Sequence, residues 1–127
     1  MVRKPSRLDS RQLAHRAARF ALEKKGREPV VMDLRELSFL CDYYLIVDGD
    51  SEPQVKAIAD RIEQGLKEAG ETAWHVEGTA GRQWILMDYV DVVIHVFLKS
   101  ARELYLLEKL WGDAPREVID DAGVESP

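Results

Sequence analysis

The run from Gln83 to Leu98, QWILMDYVDVVIHVFL, constrains the fold more than any other part of the chain. Apolar residues fill both alternating positions on either side of one interruption, Asp88-Tyr89-Val90-Asp91. Strands that are apolar on both faces belong inside a sheet that is covered on both sides. WILMDY and VVIHVFL therefore read as two buried antiparallel strands, joined by a tight turn at Tyr89-Val90-Asp91.

The flanking sequence supplies the remaining elements. From Asp9 to Lys25, Leu13, Ala17, Phe20 and Ala21 recur at helical spacing with Arg and Lys opposite, and Gly26 is a natural stop. PVVMDL (29–34) and DYYLIVDG (42–49) read as short strands, with ELSFL between them irregular or a single helical turn. SEPQ (51–54) opens a second helix: Ser51 caps, Gln54 reaches back, and Pro53 loses no hydrogen bond in the first turn. Val55, Ile58, Ala59, Ile62 and Leu66 form its apolar stripe, and Gly70 ends it. TAWHVEG (72–78) reads as a strand and TAGRQ as a turn. SARE (100–103) resembles a capping box opening a last helix, with Leu104, Leu107, Leu110 and Trp111 facing inward. The expected architecture is α/β: a mixed sheet of about five strands packed with three helices. It forms one domain over residues 9–115, between a basic arm (1–8) and an acidic flexible tail (116–127).

Charge is unevenly placed. Residues 1–27 hold nine of the 18 Lys and Arg but only Asp9 and Glu23 as acids, a net of about +7. The whole chain carries −5, so the remaining hundred residues carry about −12. A basic N-terminal segment suits nucleic acid, whereas an acidic body repels it and attracts a basic protein surface. No apolar block is long enough for a membrane span, and no secretory leader is apparent. The single Cys41, in the apolar setting SFLCDYYLIV, forms no internal disulfide. It reads as core packing in a cytoplasmic protein.

The polar residues of the apolar run invite a catalytic reading that their spacing opposes. Two-metal phosphoryl or nucleotidyl transfer needs carboxylates side by side, which on a strand means i, i+2. Asp88 and Asp91 are three apart and flank the turn, where an Asp bonds a nearby backbone N–H. DGDS (48–51) precedes a helix, but Asp48, Asp50 and Glu52 would repel phosphate, and capping accounts for the acids. His15, His75 and His95 lack ligand partners at metal spacing, and His95 reads as a packed histidine with one ring nitrogen hydrogen-bonded. No motif for a nucleotide, metal or other cofactor occurs. Trp84, Leu86 and Asp88 share one strand face, and Tyr89 marks the turn. From spacing alone, Trp84 is equally a docking anchor or a core residue.

Read in order, DLRELSFLCDYYLIVDG, SEPQVKAIADRIEQGLKEAG, HVEGT, WILMDYVDVVIHVF and ARELYLLEKLWGDAP resemble the ribosomal silencing factors, the Iojap-related family of bacteria and organelles. The resemblance spans roughly Val30 to Pro115. It implies a nucleotidyltransferase-like α/β fold without catalytic carboxylates, and a protein that is not an enzyme. It implies binding to a large-subunit ribosomal protein at the intersubunit bridge face. There the bound factor blocks joining of the small and large ribosomal subunits and represses translation under nutrient limitation. It also implies a homodimer when free, and at most peripheral contact with ribosomal RNA. By position, the family's docking residues fall on Trp84, Asp88 and Tyr89, joined by Leu86, Glu77, Asp42 and Tyr43. Two departures stand out. Val90 occupies the place of a usual Gly, which argues against positive φ in that turn, and Glu52-Pro53 replaces an Arg that often precedes Gln54. The rival readings are a metal-dependent nucleotidyltransferase and a general RNA-binding protein acting through the basic N-terminal helix.

Overall fold

Two capped helices and a strongly patterned sheet define the architecture. The computed structural model describes residues 8–38, 40–120 and 123–125. Helix α1 (Ser10–Glu23) starts where the Asp9 carboxylate accepts the Gln12 N–H at 2.7 Å and the Gln12 side chain accepts the Asp9 N–H at 3.1 Å. This reciprocal pair satisfies two otherwise orphaned donors. Helix α2 (Glu52–Glu68) starts at Ser51, whose hydroxyl accepts the Gln54 N–H at 3.3 Å. The Gln54 side chain reaches one residue further back than expected, accepting from the Asp50 N–H at 2.6 Å.

The strands are β1 (Arg27–Asp33), β2 (Tyr43–Gly49), β3 (His75–Glu77), β4 (Trp84–Asp88), β5 (Val92–Leu98), β6 (Arg116–Asp120) and β7 (Gly123–Glu125). They form one sheet in the order β3-β4-β5-β2-β1-β6-β7, with β2 and β5 parallel and every other pair antiparallel. The mixed α/β sheet is thus as expected, but among the described residues it has seven strands rather than about five. The two additional strands arise from the segment expected to be a loose tail. Residues 116–120 form β6 on the outer edge of β1, burying Ile119. The reason lies in β1, where Val30, Val31 and Met32 are apolar on both faces and would otherwise stand at an open edge. Residues 1–7 of the basic arm, and positions 121, 122, 126 and 127 of the tail, lie outside the described residues.

One face of the sheet is sealed. Leu13, Ala17 and Ala21 of α1 and Val55, Ile58, Ile62 and Leu66 of α2 meet Leu45, Val47, Ile85, Met87, Ile94 and Val96 in the larger core. Gly65 lets the two helices approach, since a Cβ there would lie 2.4 Å from the Phe20 ring.

The other face departs from expectation. Helix α3 (Lys99–Tyr105) and the single turn α4 (Leu107–Leu110) cover its β1–β2–β5 end, over Val30, Met32, Ile46 and Phe97, and reach β4 only at Trp84. The expected capping box at Ser100 does not form; α3 begins after Leu98, with no side-chain cap. At Leu106 the chain turns left-handed (φ 50°, ψ 44°), which splits the expected single helix. Leu107 and Trp111 pack inward as expected. Leu104 and Leu110, expected inward, are 73% and 70% exposed. The inner face of α3 is taken instead by Ala101 and by Arg102, a buried guanidinium.

Candidate functional site

Where α3 and α4 stop, the sheet carries a groove of about 480 Å³. Leu86 of β4 and Val93 and His95 of β5 lie along it, and Cys41 and Tyr44 close one side. Leu40, Trp74 and Val90 stand around it, with Leu40 90% and Trp74 72% exposed. The Trp74 N–H donates to the Asp88 carbonyl at 2.8 Å, which fixes the Trp74 backbone against β4. Solvent-facing apolar residues around a concave apolar surface are the features that binding sites present.

The residues singled out from sequence do not all reach the groove. Leu86 and Asp88 line the groove. Glu77 lies on the same face, because β3 pairs Glu77 with Leu86 and His75 with Asp88; its carboxylate is 2.7 Å from His75 Nε2. Trp84 shares this face but is partly enclosed. Its Nε1–H donates to His95 Nδ1 at 3.0 Å, and its ring packs on Phe97 and Tyr105 with centroids 4.9 and 4.8 Å apart. The indole thus sits on a wall of aromatic rings.

Tyr43 and Tyr89 are corrections. Both are buried on the α1–α2 side, which removes them from any surface that a partner could touch. Parity explains this outcome: Tyr89 follows Asp88 and so points the other way from it, and Tyr43 precedes Tyr44 in the same manner. Burial, with Glu63 and Glu71 nearby, raises the Tyr89 phenol. Asp42 accepts the Ser10 hydroxyl at 2.9 Å, so it ties the start of α1 to β2 and does not line the groove. Leu40, Tyr44, Trp74, Val90 and Val93 also line the groove, and none of them was expected there from sequence. For Trp74 a signal existed, because a Trp at the entrance to an edge strand has only one sheet neighbour to cover it.

The turn behaves as its acids suggest, though not as its valine does. Asp88 Oδ1 accepts the Val90 N–H at 2.7 Å, and the Tyr89 N–H donates to the Val92 carbonyl at 2.9 Å. Val90 nevertheless adopts φ 72°, the conformation that its side chain argues against. A β-branched residue there is strained by about 1–2 kcal/mol, and the surrounding hydrogen bonds hold it. Val90→Gly should therefore raise stability by about 1 kcal/mol, read as a higher denaturation midpoint, while weakening partner binding by loss of an exposed isopropyl group.

Three groups that could carry chemistry, Cys41, Asp88 and His95, border the groove. Asp88 and Asp91 flank the turn, and Asp88 is engaged by backbone. Burial, with Asp42, Asp88 and Asp91 near the sulfur, pushes the Cys41 thiol up to about 11, so it stays protonated. Among the described residues, no three His, Cys, Asp or Glu side chains are grouped to hold a metal ion. Nor is any helix among them long and apolar enough to cross a membrane.

His95 is packed with one ring nitrogen bonded, as expected, and burial lowers its pKa to about 4. The free imidazole titrates near 6.5, so the unfolded chain takes up this proton first as pH falls. Stability is accordingly full above about pH 6.5 and is lost toward pH 4, by about 3 kcal/mol in all. His15 is also lowered, chiefly by burial, and adds a loss of the same sign. Urea midpoints from pH 7 to 4 should fall more steeply for the native chain than for His95→Phe. Equal slopes would show that His95 carries no such linkage.

The acids of the DGDS segment have roles beyond capping. Asp50 pairs with Arg27 at 3.1 Å, and Asp48 is buried against Arg102 at 3.0 Å. Burial raises the Asp48 carboxyl, against the pull of Arg102.

Comparison with known proteins places this geometry. The family model described as "Ribosomal silencing factor during starvation" matches residues 7–127. The chain is 39% identical over 108 residues to Ribosomal silencing factor RsfS of Halalkalibacterium halodurans, covering 85% of this chain and 92% of that protein. It is 42% identical over 98 residues to Ribosomal silencing factor RsfS of Bacillus subtilis, covering 77% and 83% of the two chains. An X-ray crystal structure of a Chromobacterium violaceum protein superposes with a TM-score of 0.80 at 34% identity, over 83% of this chain and 88% of that one.

Proposed function

Because the chain belongs to the ribosomal silencing factor family, we propose that it represses translation by docking the open sheet face on a protein of the large ribosomal subunit. The contact lies at the surface that meets the small subunit, so that subunits cannot join. The observation that carries this reading is the uncovered apolar groove with Leu40 and Trp74 exposed beside it. Desolvated aromatic and aliphatic anchors provide most of the energy of such contacts.

Electrostatics favours a basic partner. Asp88 and Glu77 lie on the docking face, and Asp42 and Asp91 lie near its Cys41 end. Ribosomal proteins bind RNA and carry matching positive surfaces, so the pairing speeds encounter and sets orientation. Steric exclusion needs only affinity and position, and no cofactor or covalent step. The protein acts in the cytoplasm, when nutrients run short.

Co-sedimentation with purified large subunits, small subunits and joined ribosomes tests the proposal. The expected result is binding to large subunits alone, with fewer joined ribosomes formed when the protein is added first. Equal binding to small subunits, or unchanged joining, would sink it.

A further inference from the structure

A second charged surface lies on the opposite side of the sheet from the groove. Helix α1 turns Leu13, Ala14, Ala17, Ala18 and Ala21 into the core, so residues 11, 12, 15, 16 and 19 line its outer face. Three of them are Arg11, Arg16 and Arg19, and with Gln12 and His15 they border a shallow concavity of about 190 Å³. At the rise of an α-helix, Arg11 and Arg19 stand ~12 Å apart along the axis.

Acids neutralise only the N-terminal part of this face. Glu23, the one acid within α1, accepts from Arg61 of α2 at 3.1 Å. Asp9 caps the helix, and Glu117 of β6 faces Arg11 at 3.3 Å and His15 at 3.4 Å. Arg16 and Arg19 are exposed, with no carboxylate partner among the described residues. Arg3, Lys4 and Arg7 precede this helix in a chain whose net charge is −5.

Like charges one turn apart destabilise a helix slightly, and Arg16 and Arg19 make no internal ion pair that would compensate. A partner with repeated negative charge would supply that compensation. Guanidinium groups suit phosphate oxygens, which they meet with paired donors. A partner protein seated in the groove leaves this layer free. We propose that the outer face of α1 is a phosphate-backbone contact for RNA, separate from the groove and independent of it.

Binding of an RNA hairpin of unrelated sequence, measured across a range of salt, tests this. Arg16→Gln/Arg19→Gln, in the full chain, should weaken binding about tenfold at low salt. It should also reduce the slope of log K against log salt by about 1.5, since each phosphate contact contributes just under one. Trp74→Ala should leave hairpin binding unchanged. In co-sedimentation with large subunits at high salt, where phosphate contacts are screened, the pattern should reverse: Trp74→Ala loses binding and the arginine pair keeps it. Failure of the groove reading appears only in that second measurement. Hairpin binding of unchanged strength and slope in the arginine pair overturns the proposal, as does binding to anionic phospholipid vesicles without binding to RNA.

Discussion

Trp74→Ala and Leu40→Asp should each weaken binding to large subunits by about 2 kcal/mol or more, roughly thirtyfold, while leaving the denaturation midpoint nearly unchanged. Both side chains are largely exposed, so neither is needed by the core. That separates them from Trp84, whose replacement removes the donor to His95 Nδ1 and opens a void beside Phe97 and Tyr105. Trp84→Ala would lower affinity and stability together, and its effect on binding could not be assigned to contact alone. Asp88→Arg has a similar double effect, because its carboxylate also holds the turn through the Val90 N–H. Binding measured by co-sedimentation, with urea midpoints in parallel, distinguishes the two classes. If Trp74→Ala and Leu40→Asp bind as tightly as the native protein, the partner sits elsewhere.

The second large effect concerns stability. Arg102 is buried between α3 and the β1–β2 end of the sheet. Its Nη1–H groups donate to Asp48 Oδ2 at 3.0 Å and to the Arg27 carbonyl at 3.1 Å; Nη2 donates to the Glu28 carbonyl at 3.1 Å. Nε and Nη2 hold the Glu108 carboxylate of α4 at 3.0 and 3.2 Å. One side chain therefore ties both short helices to two strands. Arg102→Ala leaves the buried Asp48 with only the longer contact to Arg27 Nε at 3.7 Å and two backbone carbonyls without donors, at about 3 kcal/mol. Against a total stability of 5–15 kcal/mol for a typical domain, that is a large part of the margin and should appear as a much lower urea midpoint. The loss should shrink in acid, where the buried Asp48 takes up a proton and the stranded charge disappears. Arg102→Met/Asp48→Asn should recover part of the stability, because it removes the buried carboxylate together with its guanidinium and leaves Glu108, which is partly exposed, to solvent. Urea denaturation of the single and double variants at pH 7 and pH 5 measures each of these effects. A double variant no more stable than Arg102→Ala would show that the carbonyl contacts, rather than the ion pair, dominate.

Features governed by neighbours in sequence were legible without coordinates. Asp9 and Ser51 cap their helices as the residue types demand, and the apolar stripe of α2 is the one that faces the sheet. The Tyr89-Val90-Asp91 turn joins antiparallel strands, and Asp88 engages backbone as a turn aspartate does. Asp88 and Leu86 were correctly placed on one face, because strand alternation has a fixed period of two. The same rule, applied to Tyr89 and Tyr43, would have turned them inward. Position in a family motif had placed them at the docking surface.

Local pattern alone determined that β4 and β5 form a hairpin of buried strands between capped helices, since caps, turns and alternation depend on residues a few positions apart. Only the tertiary structure decided which apolar surface stays uncovered. The left-handed step at Leu106 ends α3 at Tyr105, over Trp84 at the start of β4, and leaves Leu86 and Asp88 uncovered; the buried Arg102 orients that helix through strands more than fifty residues away in sequence. With that end of the sheet bare, Leu40 and Trp74, distant in sequence, come to border one groove, and no periodicity could have brought them together.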